Sequence, residues 1–198
     1  MTHQTGTDKL YPDRLRYVGF DESWAHLNTE HARQAESDQQ RRGANADFMD
    51  HQDPRAIAWA EDHGADLLIV GADGNPLTDI LRLLIRQTVA TALKDHSTNV
   101  QLANALCARY AFDKRQASLI AHTEVALSLC CASFCGALAV GMKVKRWLLS
   151  NDPGVCGGCR SNAEQGWIAI DAPYASGALA PLDHAGCRCD AGYRRAIP

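Results

Sequence analysis

From Asp53 onward the apolar residues recur at helical spacing, and each run opens with a residue suited to capping a helix. In DPRAIAWAEDHGADLLIV, Asp53 is the cap and Pro54 takes the first helical position. Ile57, Ala60, Ala65 and Leu68 then fall on one face, with an interruption at Gly64 and an end at Gly71. In TDILRLLIRQTVATALKDHS, Thr78 caps and Ile80, Leu81, Leu84, Ile85, Thr88 and Ala92 follow, with Arg82 and Arg86 one turn apart on a polar face. Ser97 is suited to cap a third helix through Val100, Leu102, Leu106 and Tyr110. Asp113 caps a long helix, KRQASLIAHTEVALSLCCASFCGALAV, that ends at Gly141. From Val125 this helix is apolar nearly all round, which predicts a place at the centre of a helical domain.

After Gly141 the period changes. KVKRWLLS alternates charged and apolar residues, and GWIAID is a second short run rich in β-formers. The two runs predict a hairpin-like platform whose intervening turn carries Cys156 and Cys159. Before Asp53 the pattern is different: HLNTEHARQAESDQQRRGANADF is a long polar run, read as a solvated helix over about 29–42 or a flexible arm that needs a partner to be ordered. The predicted organisation is therefore a polar arm over 1–52, a helical domain over 53–142 and a small β module over 143–198. In class this is α+β and mainly helical, with a long central helix followed by a small β-hairpin zinc-binding module.

Composition narrows the reading. The chain has 198 residues, 46% apolar and 22% charged, the balance of an ordinary globular protein. A formal net charge of −3 supplies no global field for nucleic acid, so any such contact is local. MTHQTGTDKLYPDRLRYVGF lacks the apolar core of a secretory signal. The apolar stretch from Val125 to Met142 is rich in Ala, Ser, Gly and Cys and continues directly from a polar segment, so it predicts a buried helix and no membrane partner. Eight cysteines in this setting predict reduced thiols and metal ligation.

The metal candidates lie near the C-terminus: Cys156 and Cys159 in a CxxC, then His184, Cys187 and Cys189 in HAGCRC. Tetrahedral zinc takes four of these five, and spacing alone leaves open which. His184 with Cys187 repeats the two-residue separation; Cys187 with Cys189 makes an all-thiolate site and leaves His184 to hydrogen-bond a sulfur. A closed site of this kind is structural, and its job is to staple a segment poor in apolar residues. A catalytic site would need an open position and a base, for which Asp183 or Asp190 is placed. Cys130, Cys131 and Cys135 read as small buried hydrophobes of the long helix. Lys143, Lys145, Arg146, Arg160 and Arg188, with Arg194 and Arg195, predict a positive face around the module for a phosphate backbone or an acidic partner, or a merely solvated surface. His122 reads as a packed or surface histidine, and Thr123 and Glu124 as residues favoured near a helix start or making a specific contact.

These residues also follow a known order. IAHTEVA in a long helix, GMKVKRW turning into a strand, a CxxCR and a final HxxCRC together resemble the phage Mu F-like head morphogenesis family, over about Pro54 to Tyr193. Three positions depart from the family pattern. His122 stands where members commonly have Arg, Gly157 follows Cys156 where they read CPxC, and Pro181–Leu182–Asp183–His184 replaces PPxH. The resemblance implies a minor head protein of a tailed bacteriophage or prophage, without enzymatic activity. It implies assembly with the portal protein and the major capsid protein or inner procapsid surface, a place in the virion, and contact with packaged double-stranded DNA. The alternatives are a zinc-dependent hydrolase, against which stands the lack of any HExxH, and a nucleic-acid-binding zinc module.

Overall fold

The computed structural model describes residues 10–11, 53–151 and 154–196. The predicted helix over 29–42, and most of the arm, lie outside the described residues. Leu10 and Tyr11 are described, and both are buried in the main core. The Leu10 carbonyl accepts from Ile69 N at 2.9 Å.

Helix α1 spans Pro54–His63, with the Asp53 side chain accepting from Arg55 N. It stops at Gly64, whose backbone is extended, and does not run on to Gly71. Ala65 takes a positive φ of 61°, and Val70 bridges Pro76 in a small loop. Helix α2 spans Asp79–Lys94 under the predicted Thr78 cap. Its buried side is Ile85, Thr88, Val89, Ala92 and Leu93, whereas Ile80 and Leu84, expected inside, are exposed. Helix α3, Asn99–Tyr110, is capped by Thr98 and not by Ser97: Thr98 and Gln101 form a reciprocal capping box that Ser97 cannot. Val100 at its start is exposed.

Helix α4, Lys114–Ala139, is the centre of the molecule. At 1.5 Å per residue it is about 39 Å long. Asp113 caps it in a box with Gln116, and Gly141 just beyond it has φ +74°. It is the one helix among the described residues long and apolar enough to cross a membrane, and most of its apolar window is buried within the molecule. Helices α1 and α3 pack on it, and the sheet closes its C-terminal half. Cys131 and Cys135 pack against Trp59 of α1, and Cys130 joins the main core, as small buried hydrophobes. Burial pushes the Cys135 thiol up to about 12.

The C-terminal part is a three-stranded antiparallel sheet in the order β2-β1-β3. Strand β1 is Val144–Leu148, β2 is Ile168–Ala169 and β3 is Asp190–Arg194. The expected pairing of the first two is present, with Val144 opposite Ala169. The connection between them is not a turn, because residues 157–164 form helix α5, Gly157–Glu164. The longer pairing is with β3, from Val144 opposite Arg194 to Leu148 opposite Asp190. The whole is a mainly helical α+β fold. One buried cluster runs from Leu10 through α1–α4 to Trp147, Cys159, Leu182 and Cys189, so helices and sheet share a core.

Candidate metal centre

Helix α5 begins on the first cysteine. Cys156 is its N-cap, and its sulfur takes the place of a capping oxygen, accepting from Cys159 N at 3.3 Å. The N-terminal end of a helix favours a negative group, here a thiolate. Burial opposes ionisation of Cys156, yet hydrogen bonds from the Cys159 and Gly158 amides leave its thiol below the ordinary range. A Cβ at Gly158 would lie 3.1 Å from the buried Asp183 carboxylate, a contact that only a small shift of one of the two segments would relieve.

The second half of the site is the turn from His184 to Cys187, closed by Cys187 N donating to the His184 carbonyl at 3.2 Å. It brings Cys187 Sγ and His184 Nε2 each to 3.6 Å from Cys159 Sγ. Ligand atoms of Cys156, Cys159 and His184 lie within 4.8 Å of one another, as do those of Cys159, Cys187 and Cys189. All five sequence-predicted residues therefore converge, with Cys159 common to both groups, and they could hold a metal ion.

The electrostatics point the same way. The hydrogen bond with Cys159 pushes Cys187 down to about 4, with His184 adding to the effect, and the same bond pushes Cys159 far up. Hydrogen bonding to Cys187 raises His184 to about 9. Sulfurs this close resist joint deprotonation unless a cation lies among them, which is the demand a divalent ion meets. The donors, thiolate and imidazole, suit a borderline-soft ion in tetrahedral geometry. Trp147 Nε1 is buried with no hydrogen-bond partner among the described residues. Its indole lies near Cys189, whose thiol burial pushes up while Trp147 pulls the other way.

Three consecutive residues of α4 hold this loop and the rest of the chain together. His122 Nε2 donates to the Cys187 carbonyl at 3.1 Å, and Thr123 Oγ1 accepts from Gly186 N at 3.1 Å. Glu124 accepts from Tyr11 OH at 2.7 Å on one oxygen and from Ala65 N at 2.8 Å on the other. Capping does not explain these residues, because Asp113 and Gln116 already satisfy the helix start. Burial raises the Glu124 carboxyl above its ordinary range, against the hydrogen bonds from Ala65 and Tyr11. Sequence reasoning missed Tyr11 and the Ala65 amide as its partners. The one available signal was the apolar content of KLYPDRLRYVGF within a polar arm.

The basic residues divide. Lys143, Arg146, Arg160 and Arg188 are exposed, with Arg160 Nε donating to the Val155 carbonyl at 3.3 Å and Arg188 at the rim of the cysteine pocket. The guanidiniums of Arg146 and Arg194 lie 5.0 and 4.5 Å from the centre of the Trp167 ring. Lys145, expected on this face, is fully buried, because strand alternation puts it beside Trp147 on the inner side. Its Nζ donates to the Leu179 carbonyl at 2.5 Å and sits 4.9 and 5.0 Å from the Phe134 and Tyr174 rings. Of the two aspartates considered as bases, Asp183 is buried beside Gly158, and Asp190 accepts from its neighbour Ala191 N at 2.7 Å.

Fold and site together define a mainly helical α+β protein with a compact cysteine- and histidine-rich cluster able to bind a metal. Set against protein-family models, curated proteins and solved structures, the chain matches none of them.

Proposed function

We propose that this chain is a minor head protein of a tailed bacteriophage or prophage, with no catalytic role, whose C-terminal module is stapled by a structural zinc ion. It assembles with the portal protein and the major capsid protein or inner procapsid surface, and stays in the virion head. One observation carries the reading. The motif parts on which the resemblance rests, HTE, CxxCR and HxxCRC, are far apart in sequence, yet they touch through His122–Cys187, Thr123–Gly186 and Cys159–Cys187. They behave as one unit, as a shared family motif requires. Zinc is supported by the donor chemistry and by a cluster in which Cys159, Cys187 and Cys189 are buried and Cys156 and His184 half-buried.

The exposed Arg146 and Arg194 against Trp167 favour a second reading, a zinc module that binds nucleic acid. Ring stacking holds each guanidinium in place while its fork of N–H donors faces a phosphate. Within the head-protein reading, the same face contacts packaged double-stranded DNA.

Quantitative mass spectrometry of purified particles separates these readings. A few copies per portal ring, scaled against portal and major capsid protein, is the expected result. Absence from particles, with abundant soluble protein in the lysate, overturns the head-protein reading and leaves the nucleic-acid module.

A further inference from the structure

Helix α2 carries four charged residues, and none of them lies in the middle of its solvent side. Arg82 and Arg86 turn to the loop after α1, where Arg82 donates to the Ala65 and Leu68 carbonyls and Arg86 to the Gly64 carbonyl and the Asp66 carboxylate. Asp79 and Lys94 stand at the two ends, in the first and last turns. Between them the exposed residues are Ile80, Leu83, Leu84, Gln87 and Thr91, spaced as a single stripe along the helix. Ile80 is 74% exposed, Leu83 49% and Leu84 42%. Three large aliphatic side chains thus lie together in water with no charge among them, whereas a solvated helix face is normally polar and charged.

The neighbouring helix continues this surface. Tyr110, the last residue of α3, donates from its hydroxyl to the Leu84 carbonyl at 2.9 Å, which holds α3 along α2. A stripe of exposed residues on α3, Val100, Gln101, Asn104 and Ala108, is likewise uncharged, and Val100 is 69% exposed. Depletion of charge is the mark of the centre of a protein interface.

The two ends of α2 indicate the partner. Two copies of the helix laid antiparallel, about a two-fold axis crossing them near Gln87, bring Asp79 of each copy to Lys94 of the other and set the helix dipoles head to tail. Lys94 already meets Glu61 of its own copy, and Asp79 of the second copy gives it another carboxylate. Ile80 then approaches the end where Thr91 and Val100 of the other copy lie. Parallel pairing would instead set like charges together. The surface measures about 24 Å along α2 by roughly 20 Å across two helices, so a pair of copies covers roughly 1,000 Å² in all. That is the small end of specific interfaces and fits a weak, concentration-dependent dimer.

We propose that the outer face of α2, with α3 beside it, is the contact between two copies of this chain, packed antiparallel about a two-fold axis. The inference concerns association in solution and depends on neither the head-protein nor the zinc reading.

Sedimentation of the full chain from micromolar to millimolar protein tests it, in reducing buffer so that the free cysteines do not cross-link. The wild-type mass is expected to rise from one chain to two and stop there. Leu83→Glu puts a charge at the centre of the contact on a half-exposed side chain, so it should keep the wild-type circular dichroism and stay monomeric throughout. Asp79→Lys and Lys94→Asp should each associate more weakly than wild type, and an equal mixture of the two should recover pairing, because each chain then meets its opposite charge. A wild type that stays monomeric at millimolar protein overturns the proposal and leaves the face to a different protein or to residues 12–52 of this chain. A dimer that survives Leu83→Glu, or charge variants that pair no better mixed than alone, also overturns it and places the contact elsewhere.

Discussion

Glu124 is a carboxylate with both oxygens committed, one to Tyr11 OH and the other to Ala65 N, in a place closed to water. Removing it strands a buried hydroxyl and a buried amide, each at about 1–3 kcal/mol. Glu124→Ala should therefore lower the midpoint of urea unfolding markedly. Its raised carboxyl pKa has a definite sign. Between the ordinary value of 4.5 and the higher folded value, the unfolded chain has lost a proton that the folded chain keeps. This contribution to stability is complete below 4.5 and lost as pH rises through the folded value. Glu124→Gln does not titrate, so its unfolding free energy should lack that slope; equal slopes in wild type and variant would refute the assignment. Lys145 has the opposite sense. Burial lowers it from 10.5 to about 8, against the pull of Asp171, so across that window the unfolded chain holds the extra proton and stability rises with pH. Lys145→Met should remove this rise, measured as the wild-type-minus-variant difference in unfolding free energy. The lysine's burial was not legible because KVKRW alternates charge with apolar residues without saying which charged residue faces in.

At the scale of elements, caps made the helices legible. Asp53, Thr78 and Asp113 each close the N-terminus they were expected to close. The buried face of α2 was harder, because Ile80, Leu81, Leu84 and Ile85 offer two overlapping stripes and packing alone selects the one through Ile85 and Val89. Strand β3 was missed because DAGYR contains few β-formers; its place comes from pairing with β1 along five residues. Helix α5 was hidden by two glycines, yet its start is fixed by a sulfur acting as cap. Between α1 and α4 the packing depends on Gly136. A side chain there would lie 2.1 Å from an Arg55 guanidinium nitrogen, and Arg55 is already held by the Asp53 carboxylate at 2.6 Å. Gly136→Ala should cost about 1–3 kcal/mol through overpacking, despite the better helix propensity of alanine. Arg55→Ala in the same background should recover part of that loss in thermal unfolding; no recovery would place the clash elsewhere.

For the molecule as a whole, the five metal candidates were readable because CxxC and HxxCxC are spacings that chemistry demands. Their support from His122 and Thr123 was not, since spacing along one helix says nothing about a loop some sixty residues away. The loop from residue 154 and the segment entering β3 join the core through Cys159, Cys187 and Cys189 together with Tyr174 and Leu182. On the zinc reading proposed above, removing the metal should expose this region first. Limited proteolysis of chelator-treated protein is expected to cut after residue 154 while sparing α1–α4, and identical patterns with and without zinc would contradict it.

The tie between Tyr11 and Glu124 spans 113 residues, and β1 gains its longer partner only at Asp190–Arg194. During synthesis, therefore, the most apolar helix leaves the ribosome well before the strand that helps close over it. Nascent chains halted before β3 should be clients of chaperones that hold apolar segments, and their release should coincide with the emergence of Arg194.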